Sequence, residues 1–341
     1  MKSKRVWIID EGSQGHLVQS RGLVRELGKF VIIELHEIAA RLHVDHRIAR
    51  SIVKKLLHRG RMPWLFRRTH TLSPVPSEAP DLVVASGPRS LLALEFYAKL
   101  HRCPAVFVQG TVDVPRGTVD VIVKPDEGET RRDFLFIPLL FTEVTPQALL
   151  AAKQSYLTER GLEKDSPLKA LFIGASSSKI SFENSDWDRI AAFVNTSWER
   201  DRTRWLVTTS YRTGAEVEAR LRGRIQPGAI FDAVWYSSSP RKITREFLGL
   251  ADQAYVTIDS MTMISEAVAA GLPVFGICPA GFNCDPANTH HRYISSLAGN
   301  GHVTLLELLP PEARPAAKPS AGAVDYGPAI RDLLCRIGWE A

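Results

Sequence analysis

Short apolar runs alternate with helix-length amphipathic segments along most of the chain. From Lys4 to about Phe141 the pattern predicts strands over Arg5–Ile9, Phe30–Leu35, Leu82–Ala85, Ala105–Val108 and Val119–Val123, with helices over Val18–Leu27 and Leu91–Leu100. A second series predicts strands over Ala170–Ile173, Arg204–Thr208, Ala233–Tyr236 and Ala254–Thr257, with helices over Trp187–Trp198, Ala215–Arg222, Lys242–Leu250 and Met261–Ala270. Strands separated by helix-length segments imply parallel, doubly wound sheets. The 341 residues exceed the size at which one core stops growing, so two domains are expected. Their expected limits are residues 1–150 and 165–310, joined by a polar, partly helical connection. Residues 311–341 then form a Pro/Ala-rich linker and a closing helix over Pro328–Ile337.

The richest stretch is Tyr255–Ile277, which reads as strand, turn, helix, turn, strand. Asp259 and Ser260 suit a helix N-cap, Gly271 suits the C-cap position, and Pro273 opens the next strand. The first turn of such a helix offers free N–H groups and the positive end of its dipole, which favours a bound diphosphate. Glu266, two turns in, is an acceptor-only carboxylate that matches the adjacent hydroxyls of a ribose. A solvated helix glutamate is the plainer alternative.

The run from Ser260 through Ser265-Glu266-Ala267 to Gly271 and Pro273 resembles the donor-site helix of two-domain GT-B glycosyltransferases, notably the enzyme that adds N-acetylglucosamine to the lipid-linked peptidoglycan precursor. Gly12-Ser-Gln-Gly15-His16-x-x-Gln19-x-x-Gly22, Pro80-Asp81 through Gly87, and Thr208-Thr209-Ser210-x-Arg212-Thr213 stand in the same order as in the mitochondrial fission factor ("elongated mitochondria") family, whose bacterial members are similar to GT-B enzymes. The similarity covers most of residues 5–305. Two positions differ: Leu17 replaces a polar residue, and the loop Gly174–Lys179 is one residue longer.

That resemblance implies a GT-B fold of two Rossmann-like domains facing an interdomain cleft. It implies a nucleotide-sugar donor bound by Gly174, Ser177, Lys179, Thr208, Thr209, Ser210, Arg212, Asp259, Ser260, Met263, Ser265 and Glu266. Gly12, Gly15 and Gln19 would then form an acceptor-side loop.

The residues support several of these assignments independently. Gly12–His16 follows a strand and precedes a helix, but its spacing is not the G-x-G-x-x-G of a dinucleotide fold. His16 is the candidate general base, since imidazole titrates near neutrality; it could equally hold the loop by hydrogen bonding. Small hydroxyl groups, loop N–H groups and the Lys179 ammonium suit a phosphate. Thr208–Ser210 end a strand at the edge where α/β sheets place ligands, and Arg212 can meet the base or diphosphate there.

Metal chemistry is not expected. Asp186-Trp187-Asp188 stands at a helix start, where acids complement the dipole. Cys278, Cys284, His290 and His291 lack zinc-finger spacing. The expected activity is a metal-independent, inverting sugar transfer to a hydroxyl of an envelope glycan or glycolipid, with no cofactor beyond the donor. A nucleotide-sugar 2-epimerase and a non-catalytic interaction protein are the alternatives.

Charge adds one local feature. Residues 46–77 hold eight Lys/Arg and no acid, more than the whole net charge of +6. With Ile48, Ile52, Val53, Leu56 and Leu57 at helical spacing and Trp64 and Phe66 as anchors, they suit an anionic membrane surface as well as a solvated helix packed on the domain. No nucleic-acid motif accompanies them. Four scattered cysteines fit reduced thiols, and no signal core or 20-residue apolar span occurs, so a cytoplasmic, at most membrane-peripheral, protein is expected.

Overall fold

A computed structural model describes residues 3–43, 66, 69–108, 114, 116–161, 163–164, 166–177, 179–307 and 324–339. The chain divides into two compact units, Met1–Glu143 with Val324–Ala341, and Val144–Ala323.

The first unit is built on β1 (Lys4–Asp10), α1 (Gln14–Leu27), β2 (Ile33–Leu42), β3 (His70–Leu72), β4 (Leu82–Ser86), α2 (Leu91–His101), β5 (Ala105–Val108), β6 (Val121–Lys124) and β7 (Phe134–Phe136). Its sheet runs β3-β2-β1-β4-β5-β6-β7, parallel except for the antiparallel edge strand β3. Val6–Ile9 and Leu82–Ser86 are buried throughout, the continuous apolar reading of strands covered on both faces. Gly22 lets α1 approach the backbone of Phe141 and Thr142, where a Cβ would overlap Thr142.

β2 runs to Leu42, well past the expected end at Leu35. Glu34, His36, Glu37 and Arg41 interrupt it, so no apolar run marked its length.

The eight cations and Trp64 of the basic stretch lie outside the described residues. Phe66 is described and corrects the expectation of an interfacial anchor. It is 1% exposed and stacks on Phe96 at 4.1 Å, with Tyr97 edge-on at 5.7 Å. A ring committed to the domain core cannot insert into lipid.

The second unit carries α3 (Pro146–Arg160), β8 (Leu168–Ile173), α4 (Asn184–Asp201), β9 (Arg204–Thr209), α5 (Ala215–Arg224), β10 (Ile230–Val234), α6 (Thr244–Leu250), β11 (Gln253–Thr257), α7 (Met261–Ala269), β12 (Val274–Cys278), α8 (Thr289–Gly299) and β13 (Thr304–Glu307). Its wholly parallel sheet runs β10-β9-β8-β11-β12-β13. The polar, partly helical connection expected between the two domains is the fifteen-residue α3, capped by Thr145, which accepts from Ala148 N, and ended by Gly161 in the left-handed region. Asp186 closes a capping box on α4 and also accepts from Ala280 N, while Asp188 pairs with Arg220 and Arg224.

The closing helix, α9 (Gly327–Arg336), belongs to the first unit. Tyr326 donates to Leu140 O at 3.2 Å, and Arg336 donates to the carbonyls of Arg132 and Phe134. Among the described residues no helix is long and apolar enough to cross a membrane.

Candidate functional site

In each sheet the strand order reverses once, between β1 and β4 in the first unit and between β8 and β11 in the second. Crevices at such reversals, outside the carboxyl ends of the strands, are where open α/β sheets bind ligands. The candidate residues gather at both.

In the first unit Glu11 and His16 follow β1, and Gly87 and Arg89 follow β4. His16 Nδ1 lies 2.6 Å from a Glu11 carboxylate oxygen, whose partner oxygen accepts from Arg89 N at 2.7 Å. The Glu11 side chain is 5% exposed, whereas that of His16 is 35% exposed. A carboxylate only accepts, so Nδ1 donates in this contact and Nε2 is the ring nitrogen that Glu11 leaves unengaged. Gly87, at φ +93°, makes the arrangement possible, because a Cβ there would overlap both His16 Nδ1 and Glu11. Glu11 is the member of this pair that sequence reasoning undervalued: nothing in its spacing signals a bond to the imidazole five residues on.

Of the other acceptor-side residues, Gly12 and Gln19 make contacts within the unit. Gly12, at φ +102°, donates to Asp10, which also receives Arg41, and a Cβ there would overlap Arg41. Gly15 lies in the first turn of α1, and Gln19 is buried, accepting from Ser86 Oγ at 3.3 Å.

In the second unit Asp259 is the organising group. Its side chain is 0% exposed. It accepts from Ala175 N at 2.9 Å, Thr257 Oγ1 at 2.7 Å and Arg212 Nη2 at 2.8 Å. Burial pushes the Asp259 carboxyl above the usual carboxylate range, opposed by those three donors. Gly174 N donates to Thr257 Oγ1, and a Cβ on Gly174 would overlap both Asp259 oxygens. Asp259 therefore ties the loop after β8 to Arg212 and has no face left for a ligand.

Thr213 Oγ1 accepts from Ser210 N and donates to Gly174 O, fastening the turn after β9 to the same loop. Ser177 Oγ accepts from the backbone N–H groups of Lys179 and Ile180, and the Lys179 side chain is exposed beside them.

Ser260 caps α7, accepting from Met263 N at 3.4 Å. Glu266 is half-buried on that helix. Ser265 is fully buried, donating to Met261 O and sharing a 2.7 Å hydrogen bond with Tyr293 OH, and Thr208 and Thr209 are buried as well. The hydroxyls of all three are engaged with protein partners.

Two adjacent histidines at the start of α8, which no spacing rule singled out, hold the site segments in place. His290 Nε2 donates to Ile258 O at 2.7 Å. His291 Nδ1 accepts from Asp285 N, so its Nε2 donates to Lys179 O at 2.9 Å. Burial pulls the His290 pKa down to about 4, aided by the charges of Lys179, His291 and Arg212. The unfolded chain therefore binds this proton first, and stability falls as pH drops from 6.5 towards 4. Between pH 7 and pH 5 a His290→Gln variant should lose about 2 kcal/mol less unfolding free energy than the parent, measured by urea denaturation. An equal loss in both would show that His290 titrates normally.

Cys278 is buried and its thiol pKa is pushed up to about 12, whereas Cys284 is exposed beside Ser295. Among the described residues no group of three or more His, Cys, Asp or Glu is arranged to hold a metal ion.

The model of the family described as Mitochondrial fission ELM1 matches residues 14–321. The chain belongs to that family. No curated protein sequence matches it. This ELM1 family member is similar in structure to the S. aureus MnaA–UDP complex, at TM-score 0.51 and 12% identity over 89% of this chain and 84% of that one. It is also similar to Arabidopsis thaliana UGT89C1 complexed with UDP, at TM-score 0.50 and 10% identity over 98% and 90%. UDP-GlcNAc 2-epimerase from Methanocaldococcus jannaschii gives TM-score 0.48 and 11% identity over 90% and 89%. The fold is that of GT-B glycosyltransferases and nucleotide-sugar epimerases.

Proposed function

We propose that this ELM1 family member is a glycosyltransferase that moves a sugar from a nucleotide donor to a hydroxyl of a glycan or glycolipid. The observation that carries the reading is the cradle at the β8/β11 reversal: the buried Asp259 carboxylate, with a glycine that leaves it room, holds the loop after β8 and the Arg212 guanidinium in place beside the capped N-terminus of α7. Such a cradle suits a diphosphate. The two UDP complexes that share the fold agree with it.

In this proposal the diphosphate lies against the N-terminus of α7, Lys179 and Arg212, whose charge and N–H groups stabilise it as it leaves. Glu266 accepts from the ribose hydroxyls. His16 Nε2 takes the acceptor proton while the acceptor oxygen bonds to the anomeric carbon and the bond from that carbon to the diphosphate breaks. A single displacement of this kind inverts the anomeric centre and needs no metal. The eight cations within residues 46–77 suit an acceptor at an anionic surface.

Binding of UDP, GDP or CMP should raise the melting temperature of the protein. Glu266→Ala should stay folded, since Ala suits a helix, and should weaken the bound nucleotide by about 1.5–3 kcal/mol, the worth of a hydrogen bond to a charged group. Unchanged affinity by calorimetry would remove Glu266 from the site. Product analysis distinguishes transfer from 2-epimerisation, which would alter the sugar with no acceptor present. Failure to bind any nucleotide would point to an interaction protein on this scaffold.

A further inference from the structure

Tyr211 and Tyr236 are among the large hydrophobic side chains that the described residues leave exposed, 71% and 41%, and they stand after the neighbouring strands β9 and β10. Their rings meet edge to face at 6.3 Å. The backbone beneath them is unusually well fixed. Glu218, 1% exposed, accepts from Thr209 Oγ1 at 2.6 Å and from Ser237 N and Oγ. Thr209 Oγ1 accepts in turn from Tyr236 N at 2.9 Å. On the other side, Ser210 and Thr213 lock the turn that carries Tyr211 to the Gly174 loop.

A buried carboxylate normally costs stability unless its partners serve some arrangement. Here the arrangement ends in two pinned turns that present bare aromatic rings. Arg212, the neighbour of Tyr211, reaches back to Asp259.

We propose that Tyr211 and Tyr236 form the platform on which the base of the bound nucleotide stacks, with the diphosphate held on the Arg212 side. This rests on the nucleotide-binding reading above and adds the base subsite to it. A π-face accepts any base, so the platform supplies affinity and leaves the choice of base to other contacts.

The test compares ligands with and without a base. Calorimetry is run on the full chain with UDP, GDP and CMP in turn and with inorganic pyrophosphate. In the Tyr211→Ala/Tyr236→Ala variant, nucleotide affinity should fall about tenfold or more, the range of lost base stacking, while pyrophosphate binds as before. Tyr211→Phe/Tyr236→Phe should restore the nucleotide, because the ring makes the contact. If the parent binds nucleotide and the alanine variant binds it equally well, or loses pyrophosphate in parallel, the platform is wrong and the nucleotide-binding reading stands. A parent that binds no nucleotide overturns both.

Discussion

Replacing His16 by Ala is expected to lower the rate of sugar transfer by about 100-fold or more, the worth of a positioned general base, while nucleotide affinity stays nearly unchanged. The expectation rests on the contact with Glu11: its carboxylate oxygen lies 2.6 Å from Nδ1 and can only accept, which leaves Nε2 as the ring nitrogen able to take a proton from a substrate. Glu11→Gln keeps the shape of the carboxylate but can offer an N–H to Nδ1, so part of the population would turn its proton to Nε2. That variant should lose rate at saturating substrate, with a displaced pH profile and little change in KM. Gly87→Ala should act in the same direction, since its Cβ would overlap the pair. Near-normal turnover in His16→Ala would return the pair to a loop-holding role.

The second large effect concerns the cradle, where Gly174→Ala and Asp259→Ala should each destabilise the second unit. Asp259→Ala leaves the buried Ala175 N–H and the Thr257 hydroxyl without their acceptor and should cost about 3 kcal/mol. Gly174→Ala pushes a methyl into the Asp259 carboxylate and should cost a similar amount, about 1–3 kcal/mol. The nearest atoms to that methyl all belong to Asp259, so the double variant should be more stable than the sum of the two losses predicts. A double-mutant cycle by denaturant unfolding reads this directly. Additive losses would mean that Gly174 is required for something other than room for the carboxylate.

The pattern of apolar runs in the sequence was enough to place both parallel sheets, because strands buried on two faces leave continuous Val, Ile and Leu stretches such as Val6–Ile9. It missed β3, β7, α8 and β13, which are short or carry mixed polar residues. The helix over Met261–Ala269 was legible through its N-cap Ser260 and through Gly271, which stands in the left-handed region just past the C-cap Ala270. The tasks within the site were less so. Asp259 and Ser265 stand on a segment rich in site-like residues, yet burial turns both inward, and burial depends on which strands flank the segment. Glu11 and Glu218 act through partners brought close by folding, Arg89 and Ser237 among them, so no local spacing could reveal them.

The return of α9 to the first unit also governs the order in which the chain can fold. Tyr326 meets Leu140 across 186 positions of sequence, and Arg336 meets Arg132 across 204. During synthesis from the amino end, every residue of the second unit has left the ribosome before those contacts can form. The second unit can therefore complete its packing while the first still waits for its last helix. The first unit can therefore make its last contacts only after the whole of the second has been translated, so its closure waits on the synthesis of the other unit.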